Sequence, residues 1–258
     1  MERTVMLPWE DLAIPCKIYE PDFSDVDQVI IAVHGFGGSK DSSVIEAVAE
    51  EMYFYRTATI CFDFPGHGDS AVSARELNLH NCMGSLMEVA RFAREAFPHV
   101  EKFGIFASSF GAYVSLLAMD DLTDLLGRVK IVLRAPAVRM NKTFLKIARM
   151  GEEDLLKKGR VICGYDRKME IPYSFYEELL KHNCVADYDM PMMILRAELD
   201  DLVDGEDVEF FRLLNGKSCL VTIPGAGHRF DHEGELDMIV DLVRDWYLCE
   251  ECLLCEYT

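Results

Sequence analysis

No run of about 18 uncharged apolar residues occurs, so the sequence predicts no transmembrane helix. The opening "MERTVMLPWEDLAIPCKIYEPD" is broken by acids and prolines and lacks the apolar centre of a signal peptide, so no secretory leader is expected. Basic residues are scarce, 26 Lys+Arg against 45 Asp+Glu, for a formal net charge of −19. Such a field repels polyanions, which argues against nucleic acid and anionic membrane surfaces as partners. G-x-G-x-x-G, Walker-loop and H-E-x-x-H patterns are all missing, and with them any sequence reason to expect a cofactor or a metal. The nine cysteines are an odd number scattered through apolar stretches. They predict reduced, buried thiols and a cytoplasmic location rather than a disulfide framework. Cys249, Cys252 and Cys255 recur every third residue, but no histidine or second cysteine pair accompanies them. Apolar packing explains that stripe better than a metal does.

What is present is a regular alternation. Continuous apolar runs at 28–33, 57–64, 102–107, 129–135, 191–197 and 218–223 read as strands buried on both faces. Helical spacing separates them at 44–55, 81–97, 111–120, 205–214 and 234–248. The pattern predicts an α/β protein with a mostly parallel central sheet and helices on both faces. Between 136 and 189 the alternation stops, and two helical pieces flank an aromatic, turn-rich middle. The expected organisation is therefore a core of residues 1–135 and 190–258, with residues 136–189 as a small cap over the carboxyl edge of the sheet. At 258 residues the chain is long enough for this arrangement.

Ligands of parallel α/β sheets bind beyond the carboxyl ends of the strands. Those ends carry "HGFGGS" (34–39), "PGHGDS" (65–70), "SSFG" (108–111), "ELDDLVD" (198–204) and "PGAGHRF" (224–230). Polar groups thus collect along one edge, in the chain order serine, acid, histidine.

This order, with these motifs, resembles the α/β-hydrolase superfamily along nearly the whole chain. "ASSFG" is similar to the nucleophile elbow G-x-S-x-G, with Ala107 in place of the first glycine. The resemblance implies Ser109 as nucleophile, His228 as its base and Asp200 as the orienting acid. Ser108 is then an ordinary turn residue. Asp201 competes with Asp200 through a one-residue shift of the turn, and His232 competes with His228. Asp204, Glu198 and His67 read as structural or solvated groups, and Asp63 and Ser70 as partners of loop backbone. The resemblance further implies an oxyanion hole made by the backbone N–H groups of Phe36 and Phe110. A serine at the elbow favours acyl transfer over alkyl transfer. The insert supplies Phe144, Leu145, Tyr165, Tyr173, Phe175 and Tyr176, enough for an aromatic pocket roof.

Together with "IPYSFYEEL" and "GAGHRF", the motifs look like the bacterial cinnamoyl/feruloyl esterase-like branch of serine hydrolases. That branch implies hydrolysis of a small carboxylic ester, of hydroxycinnamoyl type, without a cofactor. A lipase or monoacylglycerol-type esterase, an acyltransferase or peptidase of the same fold, and a non-catalytic binding protein are the alternatives. Homo-oligomerisation is left open.

Overall fold

The computed structural model describes residues 2–21, 26–164 and 167–249. In chain order the elements are β1 (Glu2–Trp9), β2 (Leu12–Tyr19), β3 (Gln28–Val33), α1 (Ser43–Tyr53) and β4 (Thr57–Phe62). A 3-10 turn at Ala74–Glu76 precedes α2 (Leu79–Ala96), β5 (Lys102–Ser108), α3 (Phe110–Leu117), α4 (Met119–Leu126) and β6 (Val129–Arg134). Next come α5 (Met140–Ala148), α6 (Glu152–Lys158), β7 (Arg160–Cys163), β8 (Met169–Pro172) and α7 (Tyr173–Lys181). The chain closes with β9 (Met192–Ala197), α8 (Gly205–Leu214), β10 (Ser218–Ile223) and α9 (Glu235–Leu248).

Eight strands form one sheet in the order β1-β2-β4-β3-β5-β6-β9-β10. Along this order every pairing from β4 to β10 is parallel, while β1–β2 and β2–β4 are antiparallel, so β2 alone runs against the other strands. The strand periodicity of two sends alternate residues into two cores. Val29, Ile31 and Val33 join the larger core, with α2, α3 and the insert. Ile30 and Ala32 join the smaller one, under α1 and α9. Both faces are therefore covered, as the unbroken apolar strands require. Among the described residues no helix is long and apolar enough to cross a membrane.

Two segments depart from the sequence reading. Residues 2–19 form an edge hairpin, β1–β2, where no element was expected. Pro8 and Pro15 and a mostly exposed β1 hide the apolar signal; Pro8 sits on the edge strand, and Pro15 precedes the stretch Cys16–Tyr19 over which β2 pairs with β4. The insert between β6 and β9 holds three helices and the small antiparallel hairpin β7–β8, rather than two helical pieces around turns. Strands of four residues are too short to show a period. The six cysteines from Cys16 to Cys219 are buried thiols, and Cys249 is half-buried. Cys252 and Cys255 lie outside the described residues.

Candidate active site

The site begins with a bend that glycine-free backbone avoids. β5 ends at Ser108 and α3 starts at Phe110, so Ser109 alone must turn the chain, and it does so at φ 49°, ψ −108°. A non-glycine residue in that region is strained by roughly 1–3 kcal/mol. Neighbouring backbone holds it there: the Ser109 amide donates to Arg134 O at 2.9 Å, and the Ser109 carbonyl accepts from Ala137 N at 3.2 Å. The following glycine is obligatory. A Cβ on Gly111 would stand 2.5 Å from His34 O and 2.6 Å from Val33 O, because α3 crosses directly over the end of β3. Ala107 is fully buried in the sheet, where its methyl is accommodated.

Ser109 Oγ lies 3.1 Å from His228 Nε2. The other ring nitrogen, Nδ1, lies 3.0 and 2.8 Å from the two carboxylate oxygens of Asp200. Asp200 Oδ1 also accepts the amides of Leu202 at 2.9 Å and Val203 at 2.8 Å. The carboxylate is thus fixed before it meets the ring, and its side chain is only 5% exposed. Two loops must meet for this contact, and backbone stitches them together. Glu198 N donates to Ile223 O, Leu199 N to Ala226 O, and Gly225 N to a carboxylate oxygen of Glu198. Asp201 is exposed and lies outside this array, so Asp200 rather than Asp201 meets the imidazole. Asp204 pairs with Lys146 of the insert at 2.6 Å. His232 is held elsewhere: its Nδ1 and its amide both meet the Glu235 carboxylate at 3.0 Å, closing the start of α9.

Phe36 and Phe110 flank the serine. The turn Gly35–Gly38 is closed by Gly38 N donating to Gly35 O, with Gly37 at φ 78°. Phe36 is the second residue of that turn, and its amide takes no part in the closing bond. Gly35 lies so close that a Cβ on it would come within 3.4 Å of Ser109 Cβ. Phe110 opens α3, where a helix leaves its first amides without intrahelical acceptors. Both N–H groups are therefore of the kind that an anionic oxygen can use.

Sequence reasoning missed what fixes the Phe36 loop. His34 Nδ1–H donates to Gly35 O at 2.8 Å, while its Nε2 accepts the Phe64 amide at 3.1 Å. Burial pushes this imidazole down to about 4, so it stays neutral. Lys40, nearly inaccessible, reaches Asp63, Asp69 and Asp41 at 3.1, 2.7 and 2.8 Å. Asp63 in turn accepts the amides of Lys40 and Asp69. "DFPGHGDS" is thus the lock for "HGFGGSK", and Ser70 accepts from the Gly66 and Val72 amides as expected of it. The forward signals were Asp63 and Ser70, read as partners for loop backbone. His67 is fully buried and held by Pro65 O, away from the relay.

A cavity of about 810 Å³ opens over Ser109 and His228. The insert contributes Ile147 and Arg167 to its wall rather than an aromatic roof. Phe144, Phe175 and Tyr176 are buried, and Phe144 and Phe175 pack their rings against Phe36, with Phe175 also on Phe110. Leu145 and Tyr173 are half-buried against the same core. The reason is hydrophobic: large rings gain more by filling the gap behind the two loops than by facing water. Tyr165 lies outside the described residues. Among those residues no cluster of histidine, cysteine and acidic groups is arranged to hold a metal ion.

An eight-stranded sheet with this elbow, acid and histidine at its carboxyl edge defines an α/β-hydrolase. Residues 24–164 match the family model described as serine aminopeptidase, S33, and the chain belongs to that family. Solved structures share the fold over almost the full length. Est1E from Butyrivibrio proteoclasticus, with ferulic acid bound, superposes with a TM-score of 0.81 at 20% identity, covering 95% of this chain and 98% of its own. A putative hydrolase from Agrobacterium vitis S4 gives 0.81 at 16% identity, with coverage of 96% and 98%. Alpha/beta hydrolase domain-containing protein 10 from mouse gives 0.75 at 16%, with coverage of 94% and 97%. No curated protein matches the chain by sequence.

Proposed function

We propose that this chain is a serine hydrolase that cleaves carboxylic esters through an acyl-enzyme. The observation that carries the reading is the relay from Ser109 Oγ through His228 to Asp200 at the floor of a cavity. A serine hydroxyl attacks a carbonyl only if its proton leaves as the bond forms, and His228 Nε2 stands where it can take it. Asp200 keeps the proton of the neutral ring on Nδ1, which leaves Nε2 its lone pair, and it stabilises the imidazolium that results. The amides of Phe36 and Phe110 would receive the oxyanion of the tetrahedral intermediate. His228 then protonates the departing alkoxide, and water cleaves the acyl-enzyme by the same route. Residues 136–189 act in this reading as a small cap that braces the oxyanion loop from behind, on a core of residues 1–135 and 190–258.

A hydroxycinnamoyl-type ester is the favoured substrate, supported by the motif combination and by the similarity to Est1E, which holds ferulic acid. A second reading, hydrolysis of peptide amides, is favoured by the family description, serine aminopeptidase. Parallel assays with 4-nitrophenyl esters and aminoacyl 4-nitroanilides separate the two. The test of the common mechanism is labelling with a fluorophosphonate probe. The wild type should label and Ser109→Ala should not; equal labelling of both would remove Ser109 from the chemistry.

A further inference from the structure

The wall of the cavity beside the serine carries a cation, Arg134, that no carboxylate among the described residues pairs with. β5 and β6 pair in parallel with Ser108 opposite Arg134, so both side chains lie on the same face of the sheet. Two residues earlier on each strand, Phe106 and Val132 fill the core under α1 and α9. At the carboxyl edge this apolar column changes to Ser108 and Arg134, and both line the cavity.

Their partners can be counted. Arg134 Nη2 donates to Arg229 O, and the guanidinium lies over the Phe230 ring, 4.6 Å from its centre. Its Nε is buried without an acceptor, and so is the hydroxyl of Ser108, a residue only 4% exposed. No carboxylate among the described residues pairs with Arg134, in a chain with 45 acidic side chains. Asp200, Glu235 and Asp231 act on it through the field alone, Asp200 being committed to His228 and two amides. Of the other charged residues of the same cavity, Asp41 pairs with Lys17 and Lys40 and Arg229 approaches Asp231 at 3.9 Å, while Arg167, which is exposed, donates to Gly68 O. Glu233 stands exposed at the mouth.

Arg134 is half-buried with its Nε inaccessible, and holding a guanidinium there without a counter-ion carries a cost that such groups ordinarily offset by pairing. Burial pushes Arg134 down to about 10, still charged at neutral pH. A planar guanidinium with free N–H groups matches a carboxylate better than any neutral group. The start of α1, Ser42 to Val44, forms another part of the wall and adds the positive end of a helix.

We propose that the substrate is an anionic ester, carrying a carboxylate besides the scissile group, and that Arg134 with the Ser108 hydroxyl receives that carboxylate. The inference rests on the serine-hydrolase reading and narrows its substrate class. Two matched pairs of esters place the anion on either side of the scissile bond. Mono-4-nitrophenyl adipate against 4-nitrophenyl hexanoate puts it on the acyl group, and adipate is long enough to limit attack by its own carboxylate. 4-Carboxyphenyl hexanoate against its methyl ester puts it on the leaving group.

In the wild type at low salt, the anionic member of one pair should have the higher kcat/KM. Arg134→Gln should lower that anionic-to-neutral ratio at least tenfold, and Arg134→Lys should restore part of it. Binding is read separately by calorimetry of mono-hexyl adipate, a poorly reactive ester, on Ser109→Ala. The affinity should fall at least tenfold when Arg134→Gln is added. Circular dichroism melting shows that the variants are folded, and Arg134→Lys carries the comparison if the glutamine variant is not. Ratios unchanged in both pairs, with both members falling together, would overturn the proposal and reduce Arg134 to a brace for the Arg229–Phe230 loop. So would equal binding by the two Ser109→Ala proteins of mono-hexyl adipate and of 4-carboxyphenyl hexanoate alike. Wild type that resists the fluorophosphonate while still binding the half-ester through Arg134 would instead retain the anion site and sink the hydrolase reading.

Discussion

Ser109 occupies its strained turn because its amide is held by Arg134 O and its carbonyl by the amides of Ala137 and Tyr113, and the same contacts aim its hydroxyl at His228. Asp200 acts one step further away. Its two oxygens divide the work, with Oδ1 taking two amides as well as the ring, while Oδ2 serves the ring alone. Asparagine at this position could keep the amide contacts through its carbonyl oxygen while presenting an NH₂ group toward Nδ1, so the ring would favour the wrong tautomer. Asp200→Asn should therefore lower kcat on a 4-nitrophenyl ester by about 10⁴-fold, the fall known for the equivalent change in a serine-protease triad, with little loss of stability. Asp201→Asn, on an exposed neighbour, should stay within about threefold of wild type. A larger loss at Asp201 than at Asp200 would assign the orienting role to the wrong aspartate.

The loop after β3 and the loop after β4 behave as one element, joined by Lys40 and Asp63, both nearly inaccessible. Removing the ammonium leaves a buried carboxylate with amide partners only, a change that typically costs about 3–5 kcal/mol. Lys40→Met should accordingly lower the unfolding free energy by about 3 kcal/mol in urea titrations, and should reduce kcat because Phe36 rides on the loosened turn. Unchanged stability would mean that the two amides on Asp63 suffice. Much of this layer was illegible in the sequence, for a physical reason. The strands at 28–33 and 102–107 declare themselves because burial on both faces leaves an unbroken apolar run. Ser109, Asp200 and His228 declare themselves because a tight bend and a proton relay admit few residue types. Lys40 and Arg134 look like ordinary residues after or at the end of a strand, and only the fold reveals what they face. The hairpins β1–β2 and β7–β8 were hidden by a proline in each of the first two strands and by the shortness of the second pair. The insert aromatics were recognised as a group, but their packing direction depends on the gap behind Phe36 and Phe110, which no local pattern encodes.

At the scale of the whole molecule, two histidines tie stability to pH. His34 and His67 are buried side by side with ring centroids 5.1 Å apart, and both donate Nδ1–H to backbone carbonyls. Burial pushes His34 down to about 4 and His67 to about 3, the latter helped by its neighbour's charge. In the unfolded chain each titrates near 6.5. Between the two values the unfolded state binds more protons than the folded one, so stability falls as pH falls. The contribution is complete above about 6.5 and is lost progressively as pH drops toward 4 for His34 and 3 for His67. Each histidine adds a slope of roughly 1.4 kcal/mol per pH unit in the interior of its window. Most carboxylates remain ionised above pH 5, so the range from 5 to 6.5 isolates the histidines. His67 is the one to replace, because its Nε2 has no partner to lose. Urea unfolding of wild type should show stability decreasing through that range, and His67→Gln should show about half the slope. A slope unaltered in the variant would mean that His67 is protonated within the folded protein, and that its pocket admits the charge that the surrounding rings are built to exclude.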